Sequence, residues 1–285
     1  MTARTAVDQL RLGDHICWIH DDGTDGLDAA GRFVAHGLGL GHKVVWCTDA
    51  IAPSAARAHL DERGVPTERA LAGGQLRIVP AVESYLAGRR FSPERMIDSL
   101  VAEAARARRE DYPGLRLVGD MGWALRQGAS VAELCRYEAE VNQLFLTGEV
   151  AALCLYDRRL FAREQLHPVS AAHPATVGPH ASGSWRPMLR AYRTSDPHGL
   201  RLVGEVDRSN REAFTAVLRH AGRPAPTGRT VLDVSELRFA DVSAATVLAR
   251  ARRSGPTDVR LVGCRPALSR LLDLVGAVDP AGCPA

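Results

Sequence analysis

A chain of 285 residues, 46% of them hydrophobic and 24% charged, carries enough apolar side chains for cores in two ordinary domains, which excludes a disordered protein. A formal net charge of +3, with arginines scattered apart from short clusters at Arg89-Arg90 and Arg106 to Arg109, gives no footprint for direct DNA binding. Met1 to Gly13 lacks the apolar run of a signal peptide, and no stretch approaches the ~20 apolar residues of a membrane span, so no membrane association is expected.

The apolar runs alternate with helical patterns. His15 to Ile19 reads as a strand, Asp28 to Leu40 as a helix, and Lys43 to Thr48 as a strand. Ser54 to Arg63 is helical and Gln75 to Pro80 a strand. Pro93 to Arg109 is a long helix that Ser92 can cap. Leu115 to Asp120 is a strand, Val131 to Phe145 a helix, and Val150 to Tyr156 a strand. Strands without polar alternation, separated by helices, imply a parallel sheet covered on both faces. From His167 to Ser184 the chain is rich in Pro, Ser and Ala without apolar periodicity, so a linker at 167–184 divides a first domain, 1–166, from a second, 185–285. Met188 to Thr194 and Leu200 to Val206 are strands joined through Asp196-Pro197-His198-Gly199. Ser209 to His220, Ser243 to Arg253 and Pro266 to Val275 are helices; Arg229 to Val234 and Val259 to Val262 are strands. The second domain is therefore ββαβαβα.

Six cysteines, Cys17, Cys47, Cys135, Cys154, Cys264 and Cys283, form no C-x-x-C pair, and most sit in apolar runs. They read as reduced, buried thiols of a cytoplasmic protein. His167, His173 and His180 lie in the linker at spacings that fit no tight ligand motif, so they are not expected to hold a metal. His15 and Cys17 alternate on one strand and face one side, and Cys154 lies on a strand that can be its neighbour. Core packing is the simpler reading of that cluster, and a metal site the alternative.

Ligands of open parallel sheets sit beyond the C-terminal ends of the strands. The loops there carry His20 and Asp21, Thr48 and Asp49, Asp120 and Trp123, and Tyr156 and Asp157; Glu138 and Asn142 share one helix face. Together these residues form a candidate pocket for a small-molecule ligand. Plain packing of Trp123, and loop hydrogen bonding by Glu138 and Asn142, are the alternatives.

The segments LRLVGEVD (Leu200 to Asp207), VLDVSELRFADVSAATVL (Val231 to Leu248) and VRLVG (Val259 to Gly263) resemble a STAS domain of the anti-sigma factor antagonist type. The resemblance implies a partner, an anti-sigma factor or switch kinase, with Ser243 as phospho-acceptor and Asp207, Asp241, Val242 and Ala244 near the partner. Val242 and Ala244 stand where that family usually has a small polar residue and a glycine. Without the resemblance, Ser243 reads as a helix N-terminal residue and Asp241 as its cap.

GDHICWIH (Gly13 to His20), GLGLGHKVVWCT (Gly37 to Thr48), LVGDMGWAL (Leu117 to Leu125), YEAEVN (Tyr137 to Asn142) and CLYDRRLF (Cys154 to Phe161) resemble the MEDS domain, a sensory domain named from methanogen, methylotroph and dichloromethane-regulator proteins. The same region looks like a RecA/KaiC-type three-layer core with a degenerate P-loop. HDDGTDGL (His20 to Leu27) lies where G-x-x-x-x-G-K-[ST] would stand, without the phosphate-binding Lys or the Mg²⁺-binding hydroxyl. ATP-Mg is therefore not expected to be hydrolysed, no cofactor is named, and the chain is read as a signalling protein and not an enzyme. A nucleotide-binding protein or weak NTPase with a lysine supplied from elsewhere, Lys43 being the only one in the chain, and a non-switching scaffold remain the alternatives.

Overall fold

Apolar runs that cannot be left in water become the strands of two sheets. The computed structural model describes residues 6–86, 90–178, 181, 185–221, 229–253 and 258–276. In chain order, the first module contains β1 (His15–His20), α1 (Gly23–Gly39), β2 (Lys43–Thr48), α2 (Pro53–Glu62), α3 (Thr67–Ala72) and β3 (Leu76–Pro80). It continues with α4 (Pro93–Arg109), β4 (Leu115–Asp120), α5 (Trp123–Arg126), α6 (Val131–Glu140), α7 (Asn142–Phe145), β5 (Val150–Asp157), α8 (Arg163–Ala171) and β6 (Ala175–Val177). The second holds β7 (Leu189–Ser195), β8 (His198–Val206), α9 (Arg211–Ala221), β9 (Arg229–Ala240), α10 (Val242–Arg253), β10 (Asp258–Val262) and α11 (Pro266–Leu274).

The first sheet is parallel, with strand order β3-β2-β4-β5-β1-β6. β5 lies between β1 and β4, the neighbour relation expected of a RecA/KaiC-type core. Apolar layers cover both faces: Phe33, Val34, Trp46 and Leu60 on one, Met96, Leu100, Trp123 and Tyr137 on the other. The second sheet has the order β10-β9-β8-β7, with β7 antiparallel to β8 and the other pairs parallel. The chain is thus α/β throughout, a six-stranded parallel domain followed by a smaller mixed-sheet domain.

Two local expectations change. α1 begins at Gly23 and not near Asp28, because Asp22 caps it by accepting the Asp25 N–H at 2.7 Å. The second half of the segment His20 to Leu27 is therefore the first turn of α1. The linker reading also fails for 167–177, which completes α8 and adds β6 to the first sheet. His180 lies outside the described residues.

The two modules are docked, not merely strung together. Leu146, just after α7, is buried in the core of the second module, and its carbonyl accepts the Arg193 N–H at 2.9 Å. Arg190 donates from Nε and Nη2 to the two oxygens of Asp14, at 2.6 and 2.8 Å. α9 packs against α6, α7 and α8, where Ala216 meets Ala139 and Ala172.

At the other end of the sheet, Arg116 lies over the Phe33 ring and donates to His42 Nδ1 at 3.3 Å. Burial first, then repulsion from Arg116 and His36, lowers the His42 pKa from 6.5 to about 4. Neutral His42 belongs to the folded chain, so between those values the unfolded chain binds the extra proton. Its contribution is complete above pH ~6.5 and falls as the pH drops towards 4, by about 1 to 2 kcal/mol. Urea melts at pH 7 and pH 5 should show this loss, and His42→Gln should make the difference smaller; an unchanged difference would place its origin elsewhere.

Candidate functional site

Side chains at successive strand positions face opposite sides, and this divides the predicted pocket in two. Leu155 and Asp157 face one side of β5; Cys154 and Tyr156 face the other. On the first side a cavity of about 70 Å³ is lined by His20, Trp46, Thr48, Asp120, Leu155, Asp157 and Arg159, at the C-terminal strand ends where the topology predicts a crevice. Asp120 accepts the N–H groups of Ala50 at 2.6 Å and Gly122 at 3.2 Å. Burial raises its pKa, opposed by those two N–H groups and by His20. Asp157 pairs with Arg159, which together with the Arg159 N–H and His20 holds its carboxyl below the usual range. His20 Nδ1 meets the Asp22 carbonyl at 2.5 Å, and its ring lies so close to Gly26 that a Cβ there would be 2.7 Å from Nε2. Asp21 is exposed and pairs with Arg158 outside this lining.

Trp123, Glu138, Asn142 and Tyr156 do not line that crevice. Trp123 is fully buried against Phe91, with ring centroids 5.0 Å apart. The other three belong to a second, buried group on the opposite face of the sheet. Glu138 Oε2 lies 3.3 Å from His15 Nε2 and 3.4 Å from His173 Nε2. Cys154 Sγ is 3.5 Å from His15 Nε2 and 4.0 Å from Glu138 Oε2. Tyr156 donates its hydroxyl to Glu138 Oε1. Asn142 turns its oxygen to His15 Nδ1 at 3.0 Å while its amide donates to the carbonyls of Glu138, Ala139 and Ala172. The amide also satisfies helical carbonyls where α6 gives way to α7, which explains why the single predicted helix breaks there.

The electrostatics follow from burial. Burial drives the Glu138 carboxyl up, but His173, His15 and Tyr156 outweigh it and hold the pKa below the ordinary value. His173 is lowered to about 4 by burial, partly offset by Glu138. Burial and the Glu138 charge push the Cys154 thiol and the Tyr156 hydroxyl well up.

The expected cluster of His15, Cys17 and Cys154 thus changes membership. Cys17 lies opposite Cys154 in the strand register, but Glu138 and His173 complete the group of potential ligands. His173, read from sequence as a linker residue, is fully buried. Its signal was the short apolar pattern Leu166, Val169 and Ala172, which Pro168 obscured. Cys17, Cys47 and Cys154 are buried and Cys135 half-buried, none of them in a disulfide; Cys264 departs from the expected reduced state, being disulfide-bonded, and Cys283 lies outside the described residues.

In the second module, Asp241 accepts the Ala244 N–H at 2.7 Å and caps α10. Asp207 is held within its own turn, accepting from the Ser209 N–H and hydroxyl. Ala244 is fully buried and so faces the core, not a partner. Val242 is 59% exposed and Phe239 52%, and Ser243 is half-buried beside them. Phe239 lies beyond the strand expected at Arg229 to Val234, on the part of β9 that continues to Ala240, and sequence reasoning did not single it out.

Residues 14–174, more than half of the chain, match the family model described as MEDS, the methanogen/methylotroph, DcmR sensory domain. The chain belongs to the MEDS family. The match runs from Asp14 to Pro174 and contains the crevice and the buried His-Glu-Cys-His group alike. After this MEDS domain, residues 190–279 match a model described as Mlab, STAS domain. The Transcriptional repressor DcmR of Methylorubrum extorquens (strain DSM 6343 / CIP 106787 / DM4) is 31% identical over 168 residues, which are 57% of this chain and 59% of that protein. This chain therefore spans under two thirds of that relative. Among solved structures, the KaiC-like protein PH0186 from Pyrococcus horikoshii OT3 aligns at 14% identity, covering 67% of this chain and 77% of that one, with a TM-score of 0.43. The flagellar accessory protein FlaH from Methanocaldococcus jannaschii aligns at 9% identity, covering 72% and 82%, with a TM-score of 0.44. A MEDS sensory domain joined to a STAS domain is the make-up of a signalling or regulatory protein. Among the described residues no helix is long and apolar enough to cross a membrane.

Proposed function

We propose that this MEDS–STAS chain is a cytoplasmic partner-switching regulator. The MEDS module receives a signal, and the STAS module acts as an anti-sigma factor antagonist that binds and releases an anti-sigma factor or related switch kinase. Transcription then changes without this chain touching DNA. The transcriptional repressor DcmR, the relative of the MEDS half, fits that end point. The observation that carries the reading is the exposure of Phe239 and Val242, which lie just before Ser243 in the chain where β9 gives way to α10. Large apolar side chains left in water beside a modifiable hydroxyl suit a regulated protein contact.

Phosphorylation gives this contact a physical switch. A phosphate on Ser243 adds about 1.5 to 2 negative charges where Asp241 already occupies the helix N-terminus. The two anions compete for the same N–H groups, so the end of α10 must rearrange. Incubation with candidate anti-sigma kinases, followed by quantitative mass spectrometry, should label Ser243. Ser243→Ala should keep partner binding, and Ser243→Asp should weaken it by about 1 to 3 kcal/mol, the scale of an unpaired polar group at an interface. Labelling elsewhere, or equal binding by both variants, would overturn the switch.

The crevice at His20, Asp120 and Asp157 is the receptacle for a small-molecule signal in this reading, and the chain is not an ATPase. Lys43 supports that: it starts β2, at the opposite sheet end from Thr48 in the crevice, and its ammonium is committed to Glu110. Six strand residues separate the two ends by roughly 16 Å. Purified protein with ATP and Mg²⁺ should release phosphate no faster than a heat-killed control. Turnover that Asp120→Ala abolishes would overturn this.

A further inference from the structure

We propose that His15, Glu138, Cys154 and His173 form a tetrahedral site for a divalent transition metal of the zinc class. The assignment stands apart from partner switching and needs only the geometry of the buried group.

The first argument is distance. One ligand atom from each residue can be chosen so that all four lie within 4.8 Å of one another, and all four residues are buried. Zinc bonds of about 2.0 to 2.2 Å to nitrogen or oxygen and about 2.3 Å to sulfur give tetrahedral edges of about 3.3 to 3.6 Å. The His15–Glu138, His173–Glu138 and His15–Cys154 separations are 3.3, 3.4 and 3.5 Å. The Cys154–Glu138 edge, 4.0 Å, would close by only a few tenths of an ångström.

The second argument is which nitrogens carry protons. The Asn142 amide donates to three backbone carbonyls, so its oxygen, an acceptor only, is what faces His15 Nδ1. His173 Nδ1 faces the Val169 carbonyl at 2.9 Å, again an acceptor only. Both rings therefore donate from Nδ1 and, when neutral, turn the Nε2 lone pair towards Glu138. That is the arrangement by which outer hydrogen bonds orient histidine ligands. His173 Nε2 has no hydrogen-bond partner among the described residues. Two imidazole lone pairs and a carboxylate oxygen thus converge, with only the Cys154 thiol proton to share among them.

A divalent cation resolves this convergence. Glu138 and a Cys154 thiolate carry two negative charges, which the ion cancels, so the buried site is neutral overall. Loading releases the thiol proton to solvent. Two imidazoles and a thiolate favour zinc-class ions over Mg²⁺ or Ca²⁺, which prefer all-oxygen shells. The ligands come from β1, α6, β5 and the turn after α8, so the ion ties four elements of the MEDS domain together. Ala139 and Ala172, next in sequence to two of the ligands, pack on Ala216 of α9, which puts the site directly beneath the STAS docking face.

Full-length protein, stripped with chelator and reloaded with Zn²⁺ or Co²⁺, tests the proposal. Mass spectrometry of the metal should give about one ion per chain. The Co²⁺ form should show strong visible bands of tetrahedral geometry with a thiolate charge-transfer band. Cys154→Ser should lose the charge-transfer band, whereas Cys17→Ser, at the register partner of Cys154 in the same core, should retain it. His173→Gln should lower metal retention at least tenfold. Wild-type protein that is folded by circular dichroism but binds neither ion overturns the proposal, and does so whether or not any variant folds. A charge-transfer band that survives in Cys154→Ser and disappears in Cys17→Ser would overturn this ligand set.

Discussion

Replacing Arg190 with alanine should separate the melting of the two modules. Asp14 is 2% exposed, and Arg190 supplies two of the hydrogen bonds to its carboxylate; the Arg11 N–H supplies a third, at 2.9 Å. Removing the guanidinium leaves a buried charge with one partner, which costs about 3 to 5 kcal/mol. In a chain of this size each kcal/mol moves the melting temperature by about 2 to 4 °C. Calorimetry should show a fall of at least about 6 °C, with the single transition broadening or splitting as the MEDS and STAS domains uncouple. Asp14→Asn combined with Arg190→Met should recover part of the loss, because removing both charges avoids the unpaired one. An unchanged melting profile in Arg190→Ala would mean that Leu146, inserted in the second core, and the α9 face hold the modules together without the ion pair.

The strands of the first sheet were legible because burial on both faces leaves no polar alternation. HICWIH, KVVWCT and VAALCLYD are buried almost throughout, and each became a parallel strand. What was lost depended on tertiary contacts. Gly23 and Gly26 read as a loop, yet they open α1 behind the Asp22 cap, and Gly26 leaves the space that the His20 ring occupies. Pro168 suggested a linker, yet it lies inside α8, whose apolar side Leu166 and Val169 anchor in the core.

The candidate site was legible in its parts and not in its assembly. Glu138 and Asn142 do work together at one end of α6, as their spacing predicts. Strict alternation along β5 was enough to place Asp157 and Tyr156 on opposite sides, so the merged pocket was avoidable. Pairing His15 with His173 was not, since the two are 158 positions apart and it takes tertiary contacts such as the β1–β6 pairing to bring the turn before β6 to β1.

Phe239→Ala should weaken binding of the anti-sigma factor or switch kinase more than any other single exposed substitution in the STAS domain. An aromatic side chain left 52% exposed costs the free chain little to remove, so stability should change by no more than about 0.5 kcal/mol. At an interface the same ring fills a pocket on the partner, and truncating such an anchor costs about 2 to 4 kcal/mol, a loss of roughly 30- to 1000-fold in affinity. Val242, smaller but adjacent, should cost less. Leu274 supplies the contrast: it is 83% exposed but lies near the end of α11, far along the chain from the Ser243 segment. Titration calorimetry of the three alanine variants against the partner that co-purifies with the intact chain separates a localised contact from general stickiness. If Leu274→Ala weakens binding and Phe239→Ala does not, the partner docks on α11, and a phosphate at Ser243 would have no direct way to displace it.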